Sequence, residues 1–173
     1  MTLVFRKTKE EDVPAVMKII DDAKFLLAAT GSPQWQNDYP SIETIEKDIE
    51  EAISYVLLVD GEVAGTLALQ QTPDKNYQEI FEGKWEKEAD PYTTIHRIAL
   101  SKVFRGQKLA YRLIEFAQEE TKKLGITQIR VDTHRMNSGM QRIMAHCGFK
   151  FCGIVYVDDY VDNERLAYQK LLQ

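Results

Sequence analysis

The sequence predicts a single α/β domain across residues 1–173, a mixed sheet with helices on its faces. Three observations predict it. Apolar residues recur at helical spacing in some stretches and in short or alternating runs in others. These stretches follow the order strand, two helices, three strands, helix, strand, helix, two strands. All five prolines lie at or before Pro91, so the second half reads as regular while the irregular loops fall in the first.

Leu3 to Lys7 reads as a strand. Glu11 to Leu27 reads as a helix, with Val13, Val16, Met17, Ile20 and Phe25 as its apolar stripe and Pro14 in its first turn. Thr30-Gly31-Ser32-Pro33 ends it, and Gln34 to Pro40 is a loop carrying two aromatics. Ser41 is a capping residue for a second helix to about Ile53, with Ile42, Ile45, Ile49 and Ile53 on one side. Tyr55–Val59 and Glu62–Gln70 are strands joined by the hairpin signal Asp60-Gly61, with Gly65 marking a bulge. Pro73 to Pro91 is a long polar excursion in which Ile80, Phe81 and Trp85 predict a short helix. Tyr92–Leu100 is the next strand. Leu109–Leu124 is a helix with Ala110, Leu113, Ile114, Ala117 and Leu124 inward and Gly125 past its end. Ile126–Thr133 is a strand, Asn137–Cys147 a helix with Met140, Ile143, Met144 and Cys147 inward, and Gly148 its stop. Phe149–Val157 and Arg165–Leu172 finish as strands joined through Asp158-Asp159-Tyr160.

Composition narrows the function classes. Apolar residues are 44% and charged residues 28% of the chain, an ordinary globular balance. A net charge of −5 argues against a nucleic-acid partner, and the Ser138–Cys147 helix is no basic recognition helix. No apolar run reaches membrane-spanning length. The residues after Met1 show no signal-peptide pattern, and two cysteines make no disulfide framework, so a reducing cytoplasm is expected. Walker and dinucleotide fingerprints are missing. His134, His146, Cys147 and Cys152 match no zinc spacing, so no metal is expected.

The chemistry concentrates in Ile98 to Ala110. An apolar strand ends in a basic, Gly-containing loop, and a helix with a clean apolar face begins at Leu109. That order aims backbone N–H groups and a helix N-terminus at one point, an arrangement suited to phosphate. Arg105 and Lys108 add positive charge there.

Arg105-Gly106-Gln107-Lys108-Leu109-Ala110 resembles the phosphate-binding pattern of the GNAT superfamily of acyl-CoA N-acyltransferases: Arg or Gln, two residues, Gly, one residue, Gly or Ala. Asn137, Met140 and Gly148-Phe149 stand at the spacing of that family's later helix and strand, and the element order matches across nearly the whole chain. The resemblance implies a mixed, mostly antiparallel sheet with helices on both faces and a splayed central strand pair. It implies acetyl-CoA as cosubstrate. The diphosphate would take the N–H groups of Gln107 to Ala110, with Arg105, Gly106 and Lys108 around it. The pantetheine arm would pair with Ile98, Ala99 and Leu100 like an added strand, with Asn137 and Met140 from the other side of the splay. Asn137 before an apolar helix is equally an N-cap, and Met140 equally a core residue. The family's middle Gly is Lys108 here; an allowed, helical backbone is expected of it.

The reaction implied is direct attack of a primary amine, on a small molecule or peptide, on the thioester. The amine must lose a proton and the oxyanion needs a donor, for which the Leu100 N–H is the candidate. The family's tyrosine acid is Met144 here, and the strand before the phosphate loop carries no glutamate base. His96 is the remaining titratable group, placed by period two on one strand face with Ile98 and Leu100; a plain strand residue is the alternative. Tyr156 and Tyr160 are further proton donors. The family places its acceptor between the first helices and the later strand loops, which implicates Trp35, Asp38 and Tyr39, with Tyr77 to Trp85 nearby; Trp35 pinning the loop to the core is the alternative. A non-catalytic acyl-CoA-binding module and a longer acyl chain are the competing readings. An exposed C-terminal strand is expected to offer an edge for a homodimer.

Overall fold

The computed structural model describes residues 1–158 and 162–173. Among them are the strands β1 (Leu3–Lys7), β2 (Ser54–Val59), β3 (Glu62–Gln70), β4 (Thr93–Leu100), β5 (Gln128–Thr133), β6 (Lys150–Tyr156) and β7 (Glu164–Leu171). The helices are α1 (Val13–Ala29), α2 (Ile42–Glu50), α3 (Leu109–Lys123) and α4 (Ser138–His146). The strand order is β1-β2-β3-β4-β5-β7-β6. The pairs β1–β2, β2–β3, β5–β7 and β6–β7 are antiparallel, and β4–β5 is parallel.

The chain divides into two compact units. The first is Met1–Leu69 with Ile95–Ala117, and the second is Gln70–Thr94 with Gln118–Gln173. In the first, Val16, Ile19 and Ile20 of α1 pack with Ile45, Val56 and Ala99. Phe25, expected in the α1 stripe, is 76% exposed. Five residues at 100° each carry it about 140° round the helix from Ile20, off the buried face. Leu124, expected inward, follows the last residue of α3 and is exposed.

Every helix stops the same way. The N–H groups after the end turn back onto the last carbonyls, as in Gly31 to Ala28 O and Ser32 to Leu27 O. The residue at the reversal is left-handed: Gly31, Ala52, Gly125 and Gly148 in turn. The β2–β3 turn has Asp60 at φ 49° and Gly61 at φ 86°, as a tight two-residue hairpin requires. The β2–β3 register shifts beside Gly65, which pairs with Leu57 while Val63 pairs with Leu58. A Cβ on Gly65 would stand 2.8 Å from Leu100 Cδ2 and 3.3 Å from Ala99 O, so its glycine lets β4 approach.

In the second unit the segment between β3 and β4 departs from expectation. No helix forms over Ile80 to Trp85; a single 3-10 turn spans Lys75–Tyr77, and Phe81 bridges to Ile154 of β6. Apolar residues four apart fit a helix or an irregular strap, and here long-range partners decide. Tyr77, Trp85 and Tyr92 are buried with Cys152, Val155 and Ala167. Arg130 of β5 lies between the rings of Trp85 and Tyr92, 4.2 and 4.0 Å from their centroids. It donates to the Lys87 and Glu88 carbonyls, while Gln128 donates to that of Ala89. Gln169 Oε1 accepts from the N–H groups of Glu86 and Lys87. Side chains of β5 and β7 thus satisfy backbone groups of the strap from Glu86 to Ala89.

The β4–β5 ladder consists of Thr93 with Ile129 and Thr94 with Arg130. Within the first unit, Ile95 to Leu100 form the last strand, after β3. The C-terminal strand is not an edge: β7 lies between β5 and β6, and Phe81 bonds to Ile154 on the outer strand β6. Strand β7 therefore offers no free edge for the expected homodimer contact, because both its sides are paired.

Candidate active site

The phosphate-loop candidates fall together in the first unit. Ser101 N–H donates to Ala64 O and anchors the end of β4. The Ser101 hydroxyl accepts from Val103 N–H and starts a 3-10 turn over Lys102–Phe104. Arg105, Gly106, Gln107 and Lys108 follow, all exposed. Leu109 then opens α3, with Leu109, Leu113, Ile114 and Ala117 buried. The apolar face of α3 therefore fixes the helix start, and the loop before it carries its side chains in solvent.

Gly106 has φ 81° and Lys108 φ 59°. The helical conformation expected for Lys108 is replaced by a left-handed one. Lysine here keeps the backbone that a glycine at this position would adopt, at a cost of about 1 kcal/mol. A Cβ built on Gly106 would meet nothing within 4 Å, so the loop stands open at that point.

On β4, Ala99 is buried in the core cluster, whereas His96, Ile98 and Leu100 are half-buried. Arg97 has φ 53°. That left-handed residue lies between His96 and Ile98 of the strand. The Arg97 side chain leads away to α2 and to the loop before it. Its Nε and Nη2 donate to the two oxygens of Asp48 at 2.7 and 2.8 Å, and Nη1 donates to the Tyr39 hydroxyl at 2.8 Å. Burial opposes the guanidinium charge, yet Tyr39 and Asp48 outweigh it and hold its pKa above the ordinary value. Sequence reasoning missed this cluster. The available signal was Asp48, three residues after Ile45 on the inward side of α2.

The acceptor candidates differ from one another. Trp35 is half-buried against the core cluster, as the pinned-loop alternative expected. Asp38 is exposed, and Tyr39 is held by Arg97. Trp35, Asn37 and Asp38 are all left-handed. Tyr77 and Trp85, at the ends of the segment expected nearby, are only 2% and 4% exposed and belong to the core of the second unit. Burial, with Asp132 alongside, pushes the Tyr77 phenol well above its ordinary pKa, and its O–H donates to Asp132 Oδ2 at 2.6 Å.

Asn137 and Met140 lie in the second unit. Asn137 caps α4, its Oδ1 accepting from Met140 N–H at 3.1 Å. Met140 is buried, and Met144 is completely so. The turn before Asn137 is set by buried His134. Its Nδ1 accepts from Met136 N–H, which leaves Nε2 to donate to Asp162 Oδ2 at 2.9 Å. His134 and Arg135 hold the Asp162 carboxyl below its ordinary range. Tyr156 is exposed and packs edge-on against Phe81, while Tyr160 lies outside the described residues. Among the described residues, no group of three or more His, Cys, Asp or Glu is placed to hold a metal ion, and no helix is long and apolar enough to cross a membrane.

Comparison with known proteins defines the class. The acetyltransferase (GNAT) family profile matches residues 15–149. A GNAT-family acetyltransferase from Streptococcus agalactiae, solved as a crystal structure, superposes with a TM-score of 0.92 at 35% identity, covering 99% of this chain and 96% of that one. A Listeria monocytogenes structure of the same family has a TM-score of 0.75 at 24% identity, covering 98% and 95% of the two chains. Streptothricin acetyltransferase of Escherichia coli is 27% identical over 135 residues, 78% of this chain and 67% of that protein. The chain belongs to the acetyltransferase (GNAT) family.

Proposed function

We propose that this protein transfers an acetyl group from acetyl-CoA to a primary amine by direct attack within a ternary complex. The observation that carries the reading is the exposed loop Arg105–Lys108, left-handed at Gly106 and Lys108, set between the end of β4 and the start of α3. The cosubstrate's diphosphate fits that loop chemically. The first N–H groups of a helix have no intrahelical partner, the helix dipole favours an anion, and two cationic side chains stand beside them.

Each group then has a role. Arg105 and Lys108 hold the phosphates, with the N–H groups of Gln107, Leu109 and Ala110 as the other donors. Backbone groups of Ile98, Ala99 and Leu100 hold the pantetheine amides. The Leu100 N–H faces the developing oxyanion. His96, directly or through water, takes the amine's proton. Asp38 attracts a cationic amine to the 31–41 loop, where the rings of Trp35 and Tyr39 form its wall while the Tyr39 hydroxyl is engaged by Arg97. With Met144 buried at the position of the family's acid, the thiolate leaves protonated by water. Orientation of amine against thioester supplies much of the rate.

The test pairs binding with turnover. CoA affinity is measured by calorimetry and thiol release is followed over an amine panel. Tight CoA binding with thiol release for at least one amine supports the reading. Tight binding with no release across the panel would replace it with a non-catalytic acyl-CoA-binding module. Among active amines, the H96A variant should flatten the pH profile of turnover; an unaltered profile removes His96 from the mechanism.

A further inference from the structure

We propose that Arg97 is a positioning residue for the acceptor, fastening the 31–41 loop to β4 through the Tyr39 hydroxyl while Asp48 neutralises its charge. The inference rests on the reading above, that this loop receives the amine.

The geometry separates two duties of one side chain. A planar guanidinium that meets a carboxylate through Nε and Nη2 is already satisfied as an ion pair. Its remaining nitrogen, Nη1, is then fixed in the same plane, and in this protein it donates to Tyr39. The Arg97 and Asp48 side chains are only 12% and 6% exposed, so the pair is closed to a passing anion and its consequence is orientation. The loop's first half has other ties. Trp35 packs on the core cluster, and Gln36 Nε2 donates to the carbonyls of Lys24 and Gln34. The Tyr39 hydroxyl takes its tie from Arg97. Left-handed backbone occurs at both ends of that bond, in Arg97 and in Asn37-Asp38. Strain of this kind persists where the surroundings over-determine it. Arg97 also directly precedes Ile98, the first residue proposed to run along the pantetheine arm, so one residue sets the loop against the strand that carries the thioester.

The Y39F variant tests this, because the ring stays in place and only the hydroxyl is lost. Hydrogen exchange of peptides covering residues 31–41, the KM of the best amine from the panel, kcat, and the Kd of CoA are measured together. The R97K variant is the second arm, since lysine keeps the charge but lacks the fork. Expected in Y39F is exchange in the loop faster by about tenfold and an amine KM raised ~3–10-fold with kcat and CoA Kd little changed. R97K should shift the same two readouts. Unchanged loop exchange overturns the inference, and so does faster exchange with an unchanged amine KM. A wild-type protein that acetylates no amine instead removes the reading beneath it, an outcome told apart because loop exchange is read without turnover and the KM comparison is made only with an active wild type.

Discussion

Two irregular segments of this protein handle their backbone in opposite ways. The strap between β3 and β4 is long and polar in sequence, yet backbone groups of Glu86 to Ala89 are taken by Arg130, Gln128 and Gln169, and Tyr77 and Trp85 are buried. The loop between β4 and α3 is short and basic, with exposed side chains and two left-handed residues. Irregular backbone needs partners. The strap finds them inside the protein and becomes core. The loop keeps its side chains in solvent, which is why the proposed function places the ligand there. Polarity and loop length do not separate a structural segment from a functional one; the destination of the backbone groups does.

The largest way to break this contrast is to release the strap. R130A removes two ring contacts and the donors to Lys87 and Glu88. The expected loss is about 3 kcal/mol, or roughly 10 °C in Tm. It is read by thermal melting, and CoA affinity should stay close to wild type. Burial also pushes the Cys152 thiol pKa up, so wild-type Cys152 should react with a thiol reagent far more slowly than in the unfolded chain. In R130A, reactivity at Cys152 should rise by about tenfold or more. Equal rates in both proteins would mean the strap does not seal that core.

The loop gives the converse. R105E should weaken CoA binding by about 10- to 30-fold while stability changes by less than about 0.5 kcal/mol. A stability loss without an affinity loss would assign Arg105 to the fold. The smallest expected effect sharpens the comparison. K108G relieves the left-handed strain and should stabilise the protein by about 0.5–1 kcal/mol. Loss of the charge should weaken CoA binding ~2–3-fold. A destabilised K108G would show that Lys108 makes contacts beyond its backbone conformation.

What could be read in advance follows the range of the interactions. The Asp60-Gly61 turn, the caps at Ser41 and Asn137, and the glycine stops of α1, α3 and α4 act over a few residues and were legible. So was the loop before α3, because helix start, glycine and cations are contiguous. The Arg130 sandwich and the bond from Arg97 to Tyr39 join residues far apart in sequence, and no local pattern encodes them. Ile80, Phe81 and Trp85 misled because helical spacing records separation, not partner. The inner position of β7 is a matter of strand order, which alternation along one strand cannot report. At the candidate site, the residue types of the loop before α3 were readable, whereas the left-handed backbone at Lys108 and at Arg97 was not.

The central claim is that main-chain donors from Gln107 to Ala110 hold the CoA diphosphate. The most direct measurement is a crystal structure of the protein soaked with CoA. The account predicts the diphosphate on those N–H groups, with Arg105 and Lys108 alongside and the pantetheine arm running beside Ile98 to Leu100. A diphosphate bound elsewhere, with this loop bare, would contradict it.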